Sequence, residues 1–374
     1  MKTLNDFDFK GKIVLLRSDL NSDVQNKKLL KSERISEASI TIKELKKKKA
    51  RVVVLAHQGR PGDEDFISLK QHCKQLNKYV RVKFVGDIIG KRAEREIKKL
   101  KDGEAILLEN VRNLKEEFDS NPNKLTEFFS KNCEIYVNDA FSVCHRAQAS
   151  ILLPKYIVNS CAGRILEREV NALKKLKLSK TLYILGGAKP EDNIKLLGKN
   201  KVLSCGLFGQ VCLINKGKKL GEQENYLRSR KIFIKIPRVK LKNVETPLDF
   251  AVNIKGKRKE IPVEGFPNDN EIFDIGKITQ KKYIAEIKKA KAIYMKGPAG
   301  DCGKKQFSNG TFAILKAIAG SKAFSVIGGG HLSDAIKASK VNVKKFGHIS
   351  LSGGALLNYI AGEKLPGLEV LGIK

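Results

Sequence analysis

The chain has 374 residues, of which 41% are hydrophobic, a proportion ordinary for a globular protein. This length exceeds what a single hydrophobic core usually organises, so we expect two domains. No apolar run approaches the ~20 residues of a membrane span, and the N-terminus lacks the apolar segment of a signal peptide. We therefore expect a cytoplasmic protein with no membrane partner. The seven cysteines are scattered without a Cys-x-x-Cys pair, which argues against a disulfide framework or a zinc site.

Lysine and arginine outnumber aspartate and glutamate by 73 to 40, which gives a formal net charge of +33. Nucleic-acid-binding proteins carry such charge because it neutralises phosphates. However, no helix-turn-helix, zinc-finger, RRM or KH signature is present, and the chain has no Trp for base stacking. We expect no specific nucleic-acid partner. A lysine-biased genome would give the same lysine count, and a basic protein with an added nucleic-acid-binding role stays open as an alternative.

Five short apolar runs, mostly of β-branched residues and leucine, occur in the first half of the chain and are separated by segments of helical length. They cover residues 13–16, 51–56, 80–85, 105–108 and 133–137. Such runs are typical of a parallel sheet that is buried on both faces. In sheets of this kind, ligands bind in the crevice outside the carboxyl ends of the strands.

Each of these runs ends on polar residues, and arginine recurs among them. A single strand-end arginine is more often part of a surface ion pair than a ligand contact, and a single histidine is more often structural. Five polar strand ends on one edge of a sheet are a stronger signal, and the planar guanidinium suits phosphate and carboxylate. We therefore predict a site for a small polyanion. Its motif residues are Arg17, Asp19, Asn21, Arg34, His57, Arg60, Arg112 and Arg146.

The character of the sequence changes after residue 155. Apolar residues at a helical period predict a helix over about 162–177. Four further strands follow, and each ends in a glycine-rich loop, at 183–189, 293–300, 324–330 and 348–355. A strand, a glycine turn and a helix N-terminus together present backbone N–H groups to a phosphate. The spacing matches neither the Walker A motif nor Gly-x-Gly-x-x-Gly, yet four such loops predict a nucleotide site.

The predicted fold class is α/β, with two doubly wound parallel-sheet (Rossmann-like) domains joined by a hinge helix. Arginines for a small polyanion lie in the first domain, and glycines for a nucleotide lie in the second. This layout is that of a phosphotransferase that works by domain closure.

The motifs closely resemble those of the phosphoglycerate kinase family, and the resemblance runs almost end to end. The segments 17–21, 57–62, 107–112 and 137–146 resemble the family's substrate-domain signatures, and Arg34 stands where the family has its catalytic arginine. The segments 185–189, 296–300 and 352–355, with Leu-Pro-Gly at 365–367, resemble its nucleotide-domain signatures. The His-Gln-Gly-Arg-Pro, His-Arg-Ala-Gln and Gly-Gly-Gly-His forms are most similar to the archaeal branch.

The resemblance implies reversible transfer of the acyl phosphate of 1,3-bisphosphoglycerate to ADP, giving 3-phosphoglycerate and ATP, by direct in-line transfer on domain closure. It implies that Arg34 and Lys189 are catalytic, and that Mg²⁺ accompanies the nucleotide and is held mainly by its phosphates; the protein ligands of the metal stay unassigned. A monomer is expected. The residues implied to bind 3-phosphoglycerate or 1,3-bisphosphoglycerate are Asp19, Asn21, Arg34, His57, Arg60, Arg112 and Arg146.

The nucleotide site is implied to lie in a domain at 179–359, and the 3-phosphoglycerate site in a domain at 1–155 that also includes the tail at 360–374. Residues 156–178 would form the interdomain helix and hinge. The residues expected at the nucleotide site are Gly186, Gly187, Lys189, Gly297, Pro298, Gly328, Gly329, Gly330, Ser352, Gly353 and Gly354.

Four departures from the family pattern fall in the nucleotide half. Asn193 replaces a second lysine, Lys296 replaces an asparagine, Gly303 stands where a glutamate near the ribose is expected, and His331 replaces an aspartate. Charge alone suggests that Lys296 offsets the lysine lost at 193. We expect a weaker or altered nucleotide site with retained kinase activity. The alternative is a catalytically impaired homologue that still binds 3-phosphoglycerate.

Overall fold

The computed structural model describes residues 1–373, with the exception of the side chain of His331. The chain divides into two compact units, which are described separately. Unit 1 contains residues 1–170 and 362–374, and unit 2 contains residues 171–361. The predicted tail at 360–374 ends on Lys374, which lies outside the described residues. Among the helices described, none combines the length and apolarity that crossing a bilayer requires.

Unit 1 is built on a six-stranded parallel sheet in the order β5-β6-β4-β1-β7-β8. A short hairpin, β2–β3, follows β1. The strands are β1 Ile13–Ser18, β2 Val24–Gln25, β3 Lys28–Leu29, β4 Arg51–Leu55, β5 Lys83–Val85, β6 Ala105–Leu108, β7 Ile135–Asp139 and β8 Ser160–Ala162. The helices are α1 Glu33–Lys47, α2 Lys70–Leu76, α3 Lys91–Lys99, α4 Lys124–Asn132, α5 Ala149–Leu152 and α6 Arg164–Lys175, in which the division between the units falls.

Both faces of this sheet are buried, as the apolar runs predicted. Val14 and Leu16 of β1 pack into one hydrophobic cluster, and Leu15 between them packs into another. Successive side chains of a strand point to opposite faces, so a continuous apolar run fills two layers at once. The five predicted strands correspond to β1, β4, β5, β6 and β7, and the prediction is confirmed for each.

Unit 2 contains a second six-stranded parallel sheet, in the order β11-β10-β9-β15-β16-β17, and a three-stranded antiparallel sheet, β13-β12-β14. The strands are β9 Thr181–Leu185, β10 Val202–Ser204, β11 Val244–Glu245, β12 Asp249–Ile254, β13 Lys257–Pro262, β14 Ile272–Ile275, β15 Ala292–Lys296, β16 Phe324–Gly328 and β17 His348–Ser350. The helices are α7 Pro190–Ile194, α8 Gly206–Asn215, α9 Glu222–Ser229, α10 Lys277–Lys289, α11 Asn309–Ala319, α12 Gly330–Ser339 and α13 Gly354–Ile360.

The C-terminal segment belongs to unit 1 although the chain reaches it through unit 2. Its helix, α14 Pro366–Glu369, packs near α5, and the Gly367 N–H donates to the carbonyl oxygen of Cys144 at 2.9 Å. A Cβ added at Gly367 would lie 2.7 Å from a methyl group of Ile151, so glycine permits this close approach.

Nine short 3₁₀ segments complete the described secondary structure. They are Val111–Asn113, Lys115–Phe118, Phe141–Val143, Leu153–Lys155, Leu178–Lys180, Arg238–Leu241, Val263–Gly265, Lys305–Phe307 and Val343–Lys345.

Candidate functional site

The polar strand ends of unit 1 meet at one edge of its sheet. Arg17 at the end of β1 pairs in register with Leu55 of β4 and with Asn138 of β7. The segments that follow these strands are joined directly, because the Gly59 N–H donates to the side-chain oxygen of Asn21 at 2.8 Å. Parallel topology therefore brings together residues that lie far apart in the sequence, as expected.

Asp19 holds Arg34 at this edge. The Asp19 carboxylate accepts hydrogen bonds from the Arg34 guanidinium and from the Ser142 hydroxyl, the latter at 2.6 Å. Arg34 lies in the first turn of α1, whose N-cap residue Ser32 accepts a hydrogen bond from the Arg34 N–H at 3.2 Å. The cap and the ion pair together fix the position of a guanidinium that remains partly exposed.

Arg112 is buried and only partly hydrogen-bonded. One of its terminal nitrogens donates to the Gly59 carbonyl oxygen, whereas Nε and Nη2 have no hydrogen-bond partner among the described residues. Burial, together with the charges of Arg146 and Arg17, lowers the pKa of Arg112 to about 10. An incompletely paired buried cation is costly, so this residue is suited to an anionic oxygen.

Arg146 and Arg60 complete the cationic cluster. Arg146 is half-buried, and its Nε donates to Nε2 of His145 at 3.3 Å. Burial lowers the pKa of Arg146, and the charge of Arg60 contributes to the same shift. Arg60 is exposed at the start of the loop after β4. The positive charges of Arg146 and Arg60 repel each other, and an anion bound between the arginines would relieve this repulsion.

Other polar strand-end residues serve the fold instead. The Asp87 carboxylate accepts hydrogen bonds from the Gly90 and Ala93 N–H groups at the start of α3, at 3.1 and 2.9 Å. Asp139 accepts from the N–H groups of Ile165 and Leu166 at the start of α6, at 2.7 and 3.2 Å. Such capping satisfies helix donors that have no partner within the helix.

Unit 2 contains a cavity of about 1020 Å³ at the ends of β9, β15 and β16. Seven of its lining residues are glycines of the glycine-rich loops at the ends of the strands, and Lys189 lies exposed among them. Ser352 and Gly354 flank a lining residue without lining the cavity themselves, and Gly330 begins α12. The predicted residues that line the cavity are Gly186, Gly187, Lys189, Gly297, Pro298, Gly328, Gly329 and Gly353.

Two of the glycine-rich loops pack directly against each other. The Gly186 N–H donates to the Lys296 carbonyl oxygen at 2.8 Å, and the Gly187 N–H donates to that of Pro298 at 2.9 Å. Gly297 has φ +74°, and a Cβ there would lie 2.5 Å from the Gly186 oxygen. These glycines are therefore required for packing between the loops. Gly329, with φ +107° and open space at its Cβ position, leaves backbone accessible from the cavity.

One of the four expected strand–glycine–helix junctions is absent. After β15, residues 297–308 form a loop with one 3₁₀ turn before α11 begins at Asn309. The hydroxyl of Thr311 holds this loop by accepting a hydrogen bond from the Ala299 N–H at 2.9 Å. The Asp301 N–H donates to the carbonyl oxygen of Phe273 at 2.8 Å. The prediction of a helix N-terminus directly after Lys296-Gly-Pro was wrong because these tertiary hydrogen bonds fix an irregular backbone.

Lys296 lies where the sequence suggested a compensating charge. Its ammonium is 3.2 Å from a carboxylate oxygen of Asp192 and 3.3 Å from the side-chain oxygen of Asn193. Asn193 is buried and donates from Nδ2 to the Gly186 carbonyl oxygen at 3.0 Å. The Lys296 side chain, 17% exposed, therefore adds a cation to the wall of the cavity close to position 193.

Another part of the cavity lining was not predicted from the sequence. Gln223 donates to the side-chain oxygen of Gln210 at 2.8 Å and accepts from the Ile272 N–H at 2.8 Å. Tyr226 and Phe273 line the cavity beside them. No sequence motif marks these residues, because only tertiary contacts bring α9 and β14 together at this cavity.

Three carboxylates, those of Glu271, Asp301 and Asp334, also line the cavity. Over residues 1–373, no group of three or more His, Cys, Asp or Glu side chains is arranged to hold a metal ion. This donor set fits a Mg²⁺ ion that takes most of its ligands from phosphates and water, with at most one or two carboxylates from the protein.

An arginine cluster at the edge of one parallel sheet and a glycine-lined cavity at the strand ends of another are the arrangement expected of a two-unit α/β phosphotransferase. The family model described as phosphoglycerate kinase matches residues 4–363. The chain is 40% identical over 401 residues to the phosphoglycerate kinase of Sulfurisphaera tokodaii, covering 98% of this chain and 95% of the relative. It is 39% identical over 398 residues to that of Methanothermus fervidus, covering 99% and 96%.

The solved structures agree. Phosphoglycerate kinase from Pyrococcus horikoshii OT3 superposes with a TM-score of 0.90 at 36% identity, covering 100% of this chain and 98% of that one. Phosphoglycerate kinase from Coxiella burnetii gives 0.83 at 30% identity, covering 99% and 98%. The chain belongs to the phosphoglycerate kinase family. The predicted family, fold class and phosphoglycerate kinase function are thereby confirmed. The family implies ATP and ADP as the nucleotides.

Proposed function

We propose that unit 1 binds 3-phosphoglycerate or 1,3-bisphosphoglycerate at the arginine-lined edge of its sheet, and that unit 2 binds ADP or ATP in its cavity. The observation that carries this assignment is Arg112, whose buried Nε and Nη2 have no hydrogen-bond partner among the described residues. An anionic ligand would supply the missing acceptors. Arg60 and Arg146 add charge beside it, and Asp19, Asn21, Arg34 and His57 complete the proposed substrate site.

In the proposed reaction, the phosphoryl group moves directly between the carboxyl oxygen of the three-carbon acid and the terminal phosphate of the nucleotide. Transfer of this kind asks the protein for positioning and for charge stabilisation rather than for covalent chemistry. Arg34 and Lys189 are the proposed catalytic cations. Because the two ligands are assigned to different units, we propose that transfer takes place on domain closure.

The nucleotide assignment has support of two kinds. The cavity volume of about 1020 Å³ is ample for a nucleoside triphosphate, and accessible glycine backbone faces it at Gly329 and Gly353. Lys189 and Lys296 bring positive charge to the same wall. The proposed Mg²⁺ would be held by the nucleotide phosphates, with Asp301 or Asp334 within the same cavity, and would neutralise phosphate charge.

The domain roles follow from these assignments. We propose that residues 1–155 with the tail at 360–374 form the 3-phosphoglycerate-binding domain, that 156–178 form the hinge, and that 179–359 form the nucleotide-binding domain. We propose a cytoplasmic monomer, in keeping with its membership of a family of glycolytic enzymes.

The test is steady-state turnover of the purified protein with 3-phosphoglycerate and MgATP, coupled to reduction of the bisphosphoglycerate formed. Turnover that saturates in both substrates is the expected result. Binding of 3-phosphoglycerate without turnover would mean that the nucleotide half has lost its function. Affinity for random duplex DNA that falls steeply with salt would instead reveal a nucleic-acid role.

A further inference from the structure

Arg17 belongs to the first arginine motif, yet its side chain is fully buried and its guanidinium forms its hydrogen bonds within the protein. Nε donates to the Ser150 hydroxyl at 2.8 Å, and Nη1 donates to the Ser18 carbonyl oxygen at 2.7 Å. Nη2 lies 3.2 Å from Nδ1 of His57. Every nitrogen of this side chain therefore has a protein partner, which makes Arg17 a poor candidate for direct contact with a ligand.

A buried glutamate anchors this arginine. Glu117 has no exposed surface, and its carboxylate accepts from the Ser150 N–H at 3.0 Å and from the Ser150 hydroxyl at 2.8 Å. The same carboxylate lies 3.8 Å from Nη2 of Arg17. A continuous chain thus runs from Glu117 through Ser150 and Arg17 to His57. Because the members are buried and mutually hydrogen-bonded, Arg17 has little freedom to move away from the imidazole.

The chemistry of arginine decides which nitrogen of His57 carries the proton. A guanidinium has N–H donors and no acceptor, so Nδ1 of His57 must accept the hydrogen bond from Arg17. In a neutral imidazole the proton then resides on Nε2. An imidazolium would place an N–H group against an N–H group.

The surroundings of His57 act in the same direction. Nε2 makes no hydrogen bond to the protein within the described part of the chain. Burial holds the pKa of His57 well below its ordinary value, and nearby guanidinium groups add to that shift. Glu117, on the far side of Arg17, is the carboxylate of the network. The cations that face His57 are those of Arg17, Arg112, Arg146 and Arg34.

We propose that Arg17, anchored by Glu117 through Ser150, is a positioning residue that fixes His57 as the neutral tautomer with its proton on Nε2. His57 then offers one directed N–H donor to an oxygen of the anionic ligand at the arginine-lined edge. A neutral donor adds direction without adding a further charge to a site already rich in guanidinium groups. The identity of the ligand as 3-phosphoglycerate rests on the proposed function, whereas the tautomer is a property of the free protein.

The first experiment is ¹⁵N NMR of the imidazole groups in the full-length protein without ligand, with the His57 signals assigned by their loss in His57→Gln. The expected spectrum shows a protonated Nε2 and an unprotonated Nδ1 from pH 8 down to pH 6. A protonated Nδ1, or an imidazolium within this range, would overturn the proposal. Because no substrate is needed, this result is independent of whether the protein proves to be an active kinase.

The second experiment removes the donor. In Arg17→Met we expect His57 to populate both tautomers and the KM for 3-phosphoglycerate to rise about tenfold, with a much smaller change in kcat, because one oriented hydrogen bond to a charged ligand is weakened. Arg51→Met, which removes a half-exposed arginine paired with Asp102 at 3.0 Å, is the matched control.

Removing Arg17 alone leaves Glu117 buried without its cation, which endangers folding. The double variant Arg17→Met/Glu117→Gln removes both charges and keeps the serine hydrogen bonds available, so it provides a folded test. We expect the same mixing of tautomers in this variant. An unchanged His57 spectrum in the folded double variant would show that Arg17 does not set the tautomer.

Discussion

The ammonium group of Lys296 lies 3.3 Å from the side-chain oxygen of Asn193. Lys296 ends β15, and Asn193 lies in α7, which follows the neighbouring strand β9. Measured against the family pattern, the lysine and the asparagine have exchanged places between positions 193 and 296. The contact explains how one positive charge remains at this wall of the cavity although the usual lysine is missing. Asp192, 3.2 Å from the same ammonium, helps to hold it.

If Lys296 replaces the missing lysine, then Lys296→Met should raise the KM for ATP and ADP about tenfold or more, the loss expected for one hydrogen bond to a charged group. The KM for 3-phosphoglycerate should change little, because that site lies on the other sheet. Steady-state kinetics with each substrate varied in turn measures both values. Lys282→Met, which breaks a half-exposed ion pair with Glu245, is the matched control.

The exchange can also be reversed. The double variant Asn193→Lys/Lys296→Asn restores the family arrangement and keeps the net charge, so it should recover most of the nucleotide affinity lost in Lys296→Met. A double variant as impaired as the single one would show that Lys296 acts in another way. An unaltered nucleotide KM in Lys296→Met would remove this residue from the site.

Arg112 should show the conflict between stability and binding. Replacing it with Met removes a buried cation whose Nε and Nη2 have no partner, so we expect the unfolding free energy to rise by about 1 kcal/mol despite the loss of the bond to Gly59. Binding of 3-phosphoglycerate should weaken about 10- to 100-fold. Urea unfolding and calorimetric titration check the two effects. Lower stability together with normal binding would contradict this account of Arg112.

Sequence patterns revealed the parallel strands because each fills two core layers and therefore forms an uninterrupted apolar run. They did not reveal β13, in which Lys257 to Glu260 are charged and no apolar stripe is present. Nor did they reveal that Arg17 contacts Ser150, which lies 133 residues away. The convergence of the arginines followed from topology. Which arginine faces a ligand and which supports a neighbour is decided by tertiary hydrogen bonds that no local spacing records.

Two buried histidines of unit 1 should make its stability depend on pH. Burial lowers the pKa of His72 to about 4, and the pKa of His57 is also well below that of an unfolded histidine, about 6.5. Below pH 6.5 the unfolded chain binds protons at these positions and the folded chain does not. The contribution of the two histidines to stability should therefore fall as the pH decreases from 6.5 towards 4, by up to about 1.4 kcal/mol per pH unit for each histidine. Asp139 of the same unit contributes in the opposite direction, because burial raises its pKa to about 6.

The measurement is the urea midpoint of unfolding, followed by circular dichroism between pH 8 and pH 4.5. His72→Gln removes one of the two groups, so the urea midpoint of this variant relative to that of the unmodified protein should rise as the pH falls over this range. His348→Gln, in unit 2, serves as the control for a histidine change outside unit 1. Parallel curves for His72→Gln and the unmodified protein would show that His72 protonates without cost in the folded state.

The proposed catalytic cations provide the strictest test of the transfer mechanism. Arg34→Ala and Lys189→Ala should each lower kcat by at least ~10², because each removes a cation proposed to stabilise the negative charge of the transferring phosphoryl group. Arg34 is held by Asp19, which is itself partly exposed, and Lys189 is exposed on its loop, so neither change should unfold the protein. Arg51→Ala and the exposed Lys199→Ala are controls that remove a surface charge from the same units. A variant that keeps near-normal kcat would exclude its residue from the mechanism, whereas a rise in KM alone would assign that residue to binding.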